Sequence, residues 1–286
     1  MTSPLDDIRA LFDTLPAPSG PAFTAQPGIG ALAAIAGWIG AWRGRPQVNR
    51  PILCLYAGAH AGGDIGPMRA RMEAIAAGDA AINRGLAALG AGLDVFDLAL
   101  QRPVGDATLA AAMSERECAA TMAFGMEALA KQPDLLLLTG AGPGADRAAA
   151  DLAQALGAAV AAEAEGSPAV TRAVAEAGDD PLQLLRQLGG RETAALAGAI
   201  LAARIQAAPV LLDGLPALAA ALVLQTVDPD AVSHCRVAQT PDDPAGQALV
   251  AALGLAPLGG LRLGLEDGTA SLAALSIVKL AIAMAA

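Results

Sequence analysis

The stretch Pro133–Asp146 reads PDLLLLTGAGPGAD. Four consecutive leucines are too apolar for a strand with one wet face. The run is also too short for a buried helix, and it suits a strand covered on both faces. The glycines after it turn the chain sharply, and an Ala-rich helical stretch, Asp146–Leu156, follows. Strand, glycine-rich turn and helix in that order form the repeating unit of a parallel α/β sheet.

The same unit recurs on both sides. Pro51–Gly58 (PILCLYAG), Leu93–Leu100 (LDVFDLAL) and Pro209–Gly214 (PVLLDG) are further strand candidates, and Ser233–Gln239 is a less apolar one. Helical stretches lie between them, at Met68–Leu89, Ser114–Lys131, Arg191–Ala207 and Leu215–Thr226. Ser114 with Glu117 three residues later makes a capping box, and Asp180 before Pro181 places a cap ahead of a first-turn proline. Glu163–Pro168 and Thr240–Gly246 read as loops. The alternation predicts an α/β fold with a doubly wound, mostly parallel sheet and helices on both faces. The first helix (Pro4–Leu15) and the last (Thr269–Ala286) fall outside it. They are expected to pack together as a small helical lobe from the two termini, residues 1–19 and 266–286, on a core of residues 20–265.

Composition narrows the function classes. Apolar residues make up 55% of the 286 and aromatics only 2%, so a large core must be built from Ala, Leu, Val and Ile. The net charge is −10, lysine occurs only at Lys131 and Lys279, and no basic run stands out. A nucleic-acid footprint is not expected. Residues 1–16 lack the basic and apolar segments of a signal peptide. Thr269–Ala286 is apolar over about one membrane thickness, but Lys279 sits in its middle, so a packing helix is expected rather than a membrane span. Cys54, Cys118 and Cys235 are far apart, without metal spacing; Cys54, within an apolar strand, reads as core. A cytoplasmic location follows as the expectation. A core so poor in aromatics, with an apolar last helix, leaves surface for a partner, and a dimer is expected.

Ligands in open α/β sheets sit beyond the carboxyl ends of the strands. Three such ends carry turns of interest: Tyr56–Gly63 with His60, Thr139–Asp146 with Gly140, Gly142 and Gly144, and Asp213-Gly214. Backbone N–H groups at a helix start can hold a phosphate. Gly140, Gly142 and Ala145 also fit the G-x-G-x-x-A dinucleotide fingerprint, with Glu163 or Glu165 at about the spacing of a ribose contact. A merely tight strand-to-helix turn explains the same residues. His60 is the histidine at a strand end, while His234 precedes a strand and reads as ordinary surface or core. No Ser/His/Asp or Cys/His set and no carboxylate–histidine cluster is visible.

Several long segments, in order, resemble the nicotinate-nucleotide:dimethylbenzimidazole phosphoribosyltransferase family: Trp38–Pro51 (with GRPQVNRP), Ala77–Asn83 (AGDAAIN), Asp94–Leu100 (DVFDLAL), Ser114–Ala128 (SERECAATMAFGMEA), Asp180–Arg204 (DPLQLLRQLGGRETAALAGAILAAR) and Pro209–Ala221 (PVLLDGLPALAAA). The resemblance runs nearly end to end. It implies a homodimer, or pairing with a longer relative, in which a benzimidazole nitrogen attacks the anomeric carbon of nicotinate mononucleotide. Nicotinate leaves, a glutamate takes the benzimidazole proton, and no metal or organic cofactor is required. Carried over by position, His60, Gly140, Gly142, Gly144, Gly166, Asp213, Gly268 and Thr269 are the expected substrate-binding residues. The family's Gly-Glu-Gly-Thr-Gly-Ala motif falls on Leu265–Ala270, which makes Asp267 or, with a shift of one, Glu266 the expected catalytic acid.

The motifs also depart from the family. The Lys-Pro-Pro-Gly-Ala-Leu-Gly-like run is replaced at Gln26–Leu32. Ala59 replaces a polar residue before His60, and the segment after it is shortened. The family's Gly-Glu-Met-Gly-Ile-Gly-Asn-Thr-Thr turn has lost its acid to Gly140 and its last three residues to Ala145, Asp146 and Arg147. Little of a Gly-x-Gly-Thr-Gly loop remains in Glu163–Ser167, and Asp243–Gln247 replaces a Glu-Pro-Gly-His-type loop. Three readings follow: a transferase with a remodelled pocket, a non-catalytic paralogue acting as partner subunit or binder, and an unrelated dinucleotide enzyme. The first is placed ahead, with weak phosphate affinity and low activity dependent on Glu266 or Asp267.

Overall fold

The computed structural model describes residues 3–17, 28–160, 167–261, 263 and 268–285. Among them, six strands form one parallel sheet: β1 (Pro51–Ala57), β2 (Gly92–Asp97), β3 (Leu135–Ala141), β4 (Val210–Asp213), β5 (Cys235–Gln239) and β6 (Pro257–Gly259). Their spatial order is β2-β1-β3-β4-β5-β6. The chain leaves β1 toward β2 and then runs from β3 to β6 in the opposite direction, so the reversal falls between β1 and β3. The two connections diverge there and open a crevice beyond the strand ends.

Strands β1, β3 and β4 are buried along their whole length, as Leu135–Leu138 required, whereas β2, expected to be covered on both faces as well, is a half-buried edge strand carrying Asp94 and Asp97. Cys54 pairs with Leu138 and Leu53 with Leu137, so neighbouring side chains alternate in step. Ile52, Cys54, Tyr56, Leu136, Leu138 and Leu212 face one helix layer. It includes α1 (Pro4–Phe12), α5 (Glu115–Gly125), α6 (Ala145–Ala155), α7 (Pro168–Ala177), α8 (Pro181–Leu188), α9 (Arg191–Ile205), α10 (Leu215–Val227) and α11 (Pro244–Leu253). Leu53, Leu55, Leu135, Leu137 and Leu211 face the other, made of α2 (Leu32–Arg43), α3 (Gly66–Ala77), α4 (Ala81–Leu89) and α12 (Thr269–Ala285). The doubly wound expectation therefore holds.

Small residues build the core in place of aromatics. Residues Glu192 to Arg204 of α9 are all buried, as suits a helix apolar all round. A Cβ at Gly125 would lie 1.9 Å from the Ala195 carbonyl oxygen, and one at Gly198 1.8 Å from that of Met122. Helices α5 and α9 thus touch backbone to backbone. Ser114 caps α5 through the Glu117 N–H, but the expected capping box is only half made, because the Glu117 carboxylate pairs with Arg191; the Asp180 side chain caps α8 at Leu182 and Gln183, as the motif implied.

Two further expectations are corrected, and two elements are added. The helix expected over Met68–Leu89 is two, because Gly78, at φ +81°, ends α3 and the chain restarts at Ala81. Helix α2 and the short β6 were not foreseen. The first and last helices do not pack on each other. Leu5 and Ile8 of α1 are buried on the α5 side, whereas Leu272, Leu275 and Val278 of α12 are buried against α2 and α4 across the sheet. The N-terminal partner of α12 is α2. Lys279, which argued against a span, donates to the Leu89 carbonyl at the end of α4. Among the described residues, no helix is long and apolar enough to cross a membrane.

Candidate functional site

His60 lies just past β1. Its backbone N–H donates to Pro143 O at 3.1 Å, and that of Gly58 donates to Ala141 O at 3.0 Å, so the turns after β1 and β3 are laced together. The imidazole Nε2 is 2.9 Å from Glu192 Oε1. Glu192, in the first turn of α9, is fully buried, and its Oε2 has no hydrogen-bond partner among the described residues.

Glycines from three segments leave the space for this pair. A Cβ at Gly190 would lie 2.1 Å from Glu192 Oε1 and 2.4 Å from His60 Nε2. One at Gly58 would lie 1.9 Å from Glu192 Oε2, and one at Gly144 2.7 Å from His60 Cβ. Gly142, at φ +143°, brings its own backbone against Gly58 O, where a Cβ would lie 1.8 Å away.

Burial alone pulls the His60 pKa down, but the adjacent Glu192 charge and hydrogen bond outweigh it and hold it above the ordinary histidine value of 6.5. Burial pushes the Glu192 carboxyl up, and the His60 charge and hydrogen bond reverse that, holding it below its ordinary value of 4.5. Each charge of the pair thus favours the other against the cost of burial.

A cavity of about 370 Å³ opens beside His60. Gly144 at the start of α6, Ser167 and Pro168 at the start of α7, Arg147 and Asp106 contribute to its wall. Two helix starts and a half-buried histidine whose charged form is favoured by Glu192 face one cavity and favour an anion there. Asp146 in the first turn of α6 and Asp151, which is paired with Arg147, oppose it.

A second cavity, of about 260 Å³, lies beyond β4 and β5, lined by Asp213, Gly214, Gln239, Thr240 and Ala270 among others. The Asp213 carboxylate accepts the Ser271 N–H at 2.8 Å, and so caps α12 from another element. Gly268, at φ +89°, lies against Leu53, whose Cδ2 would be 2.6 Å from a Cβ there. Thr139, beside Asp213 in strand register, keeps a buried hydroxyl without a partner among the described residues.

The structure thus places His60, Gly142, Gly144, Asp213, Gly268 and Thr269 along the carboxyl edge of β1, β3 and β4. They form two groups: His60 with Gly142 and Gly144, and Asp213 with the start of α12. Gly140 faces α9 and the start of α10, where a Cβ on it would meet Leu196 Cδ1 at 2.7 Å, Pro216 Cβ at 3.1 Å and Glu192 Cβ at 3.5 Å. Gly166, Glu163, Glu165, Glu266 and Asp267 lie outside the described residues. His234 is core: it is fully buried, its Nε2 lies 3.1 Å from Ile200 O, and burial depresses its pKa to about 3. Cys54 is buried as expected.

Glu192 was not foreseen. In GGRET it reads as a solvated acid at a helix start, where the dipole favours one. The signal present was its setting: two glycines before it and an apolar helix after it, with little surface left for a charge.

A doubly wound parallel sheet whose glycine-rich helix start and cation meet at its reversal point defines an α/β protein with a nucleotide-type ligand edge. A family profile described as phosphoribosyltransferase matches residues 21–286. The chain is 43% identical to the nicotinate-nucleotide–dimethylbenzimidazole phosphoribosyltransferase of Rhizobium johnstonii, over 98% of this chain and 93% of that protein. It is 44% identical to that of Sinorhizobium fredii over the same shares. A crystal structure of the Thermus thermophilus protein of that name superposes with a TM-score of 0.79 at 26% identity, covering 98% of this chain and 94% of the other. The chain belongs to the nicotinate-nucleotide–dimethylbenzimidazole phosphoribosyltransferase family. The alignments with the Rhizobium and Sinorhizobium proteins span 315 residues, more than this chain's 286, so the relatives carry segments that it lacks.

Proposed function

We propose that the protein transfers phosphoribose from nicotinate mononucleotide to dimethylbenzimidazole or a related base, a step in making the lower ligand of cobalamin. The observation that carries this reading is the cavity between the starts of α6 and α7 with His60 in its wall, on a chain of this family. The phosphate sits there, held by backbone N–H groups of the α6 start and by the His60 cation. The acceptor base sits on the side of Ala270, three residues after Asp267. A nitrogen of the base attacks the anomeric carbon, the bond from that carbon to the nicotinate ring nitrogen breaks, and nicotinate leaves. One acid of Glu266-Asp267 takes the proton released from the base. Neither metal nor organic cofactor is part of this scheme. A dimer, with itself or with a longer relative, completes the proposed assembly.

One observation favours a second reading, a binder that does not turn substrate over. Where the family has an acid, Gly140 has no room for one, because Leu196 and Pro216 occupy the space.

Calorimetric titration of nicotinate mononucleotide into the protein tests the site. Binding is expected, and weaker than low micromolar, because Asp146 at the α6 start costs roughly 0.3–1 kcal/mol. His60→Ala should weaken it roughly tenfold or more. Low-micromolar or tighter binding would overturn the weak-affinity expectation, and a His60→Ala variant that binds like the parent would remove His60 from the site.

A further inference from the structure

A fully buried carboxylate is costly to keep, and replacing a buried ion pair by apolar groups is often neutral or stabilising. This pair is nonetheless built with care. Gly58, Gly144 and Gly190 each vacate the volume that a Cβ would take from it. Glu192 Oε1 engages Nε2 of the imidazole, which is the ring nitrogen with a partner among the described residues, and so Nδ1 is the one left for a ligand. The second carboxylate oxygen has no partner among them, and Oε1 accepts besides only a long hydrogen bond from the neighbouring Thr193 hydroxyl at 3.4 Å, so His60 is the charged group the carboxylate serves. The His60 side chain retains 14% exposure, while that of Glu192 retains none. The histidine therefore meets the cavity and the glutamate stands behind it.

We propose that Glu192 is a positioning residue: it holds His60 by Nε2 as the cationic partner of the phosphate in the cavity between α6 and α7. This rests on the mononucleotide reading above and adds the group that makes His60 able to serve it. A carboxylate behind an imidazole fixes ring orientation and stabilises the imidazolium, as in other histidine sites. Other charges face His60. Arg191, next to Glu192 on α9, disfavours the cation. Arg147, Asp106 and Asp151 line the same cavity, and Arg147 is tied to Asp151 at 3.1 Å. Within that set, Glu192 is the one carboxylate hydrogen-bonded to the ring.

The chain has only two histidines, which makes the test clean. His60 is followed by NMR of histidine-labelled protein between pH 5 and 9, with His60→Ala assigning the signal. Affinity for nicotinate mononucleotide, and for inorganic phosphate, is measured over the same range. In the parent, the loss of affinity with rising pH should share its midpoint with the His60 titration, above the ordinary histidine range. In Glu192→Gln, which keeps the size and removes the charge, both midpoints should move down together. Binding at pH 8 should then fall roughly tenfold, with near-parent binding at pH 5.5. The double variant with His60→Ala should bind no more weakly than His60→Ala alone. A parent that binds the mononucleotide with no change at the His60 midpoint would overturn the proposal, even if Glu192→Gln fails to fold. So would a Glu192→Gln profile parallel to the parent's. A parent that binds neither the mononucleotide nor phosphate would instead overturn the substrate reading on which the proposal rests.

Discussion

A charge buried without solvent has to be matched by its neighbours, and the room for that match is made here by residues with no side chain. Gly190→Ala would drive a methyl to 2.1 Å from one Glu192 oxygen and 2.4 Å from His60 Nε2. The expected result in urea unfolding is a loss of roughly 1–3 kcal/mol, together with a shift in the His60 titration; an unshifted titration would show that the pair tolerates the methyl. His60→Ala leaves Glu192 buried without its cation, and should cost about 3 kcal/mol or more by the same measurement. At this scale the sequence was only half legible. His60 stood out as a histidine among glycines at a strand end. Its partner is 132 residues away, and nothing local in GGRET distinguishes a buried glutamate from a helix-dipole acid. Gly140, Gly142 and Gly144 were read together as a phosphate turn. Only the last two lie against the His60 turn, because Gly140 is still within β3 and faces α9 and α10, whereas Gly142 and Gly144 lie in the turn that follows the strand.

Helices and strands were more legible, because both-face burial leaves continuous apolar runs bounded by glycine and proline. Three of the foreseen strands, β1, β3 and β4, rest on such runs, while β2, an edge strand with Asp94 and Asp97, is half-buried. The errors have separate physical causes. Met68–Leu89 has enough helix formers to hide the break at Gly78, whose left-handed φ of +81° ends α3. Helix α2 is apolar nearly all round and shows no period to read. Strand β6 has three residues and exists only through its pairing with β5. The partner of the last helix was misassigned because packing across a sheet face is a long-range choice. Among the described residues α12 packs with α2 and α4 in the layer on the face opposite α1. The start of α12 depends on a cap from β4, where Asp213 accepts the Ser271 N–H. Asp213→Ala should therefore lower stability by roughly 0.5–2 kcal/mol. Amide exchange should quicken first at the start of α12; uniform quickening across the sheet instead would argue against the capping role.

For the molecule as a whole, the buried pair links stability to pH. His60 is raised above its ordinary 6.5, so its contribution is full below that value and is lost as pH rises through its folded pKa. Glu192 is lowered below its ordinary 4.5, so its contribution is full above that value and is lost as pH falls through its folded pKa. Both are present between about pH 4.5 and 6.5. In Glu192→Gln the imidazole feels burial without the carboxylate, and the sign for His60 reverses. The parent's melting temperature should fall from pH 6.5 to 8.5, while that of Glu192→Gln should rise from pH 5 to 7; parallel curves would contradict the pairing. Family and fold were legible at this scale because ordered segments run nearly the length of the chain, whereas the acid pair Glu266-Asp267 rests on motif position alone. The central claim is the transfer itself. The most direct test is to incubate the protein with nicotinate mononucleotide and dimethylbenzimidazole and to quantify both products. The account predicts slow formation of α-ribazole phosphate with one nicotinate released per product, abolished in a variant carrying both Glu266→Gln and Asp267→Asn. No product from the parent protein, or undiminished product from that variant, would contradict it.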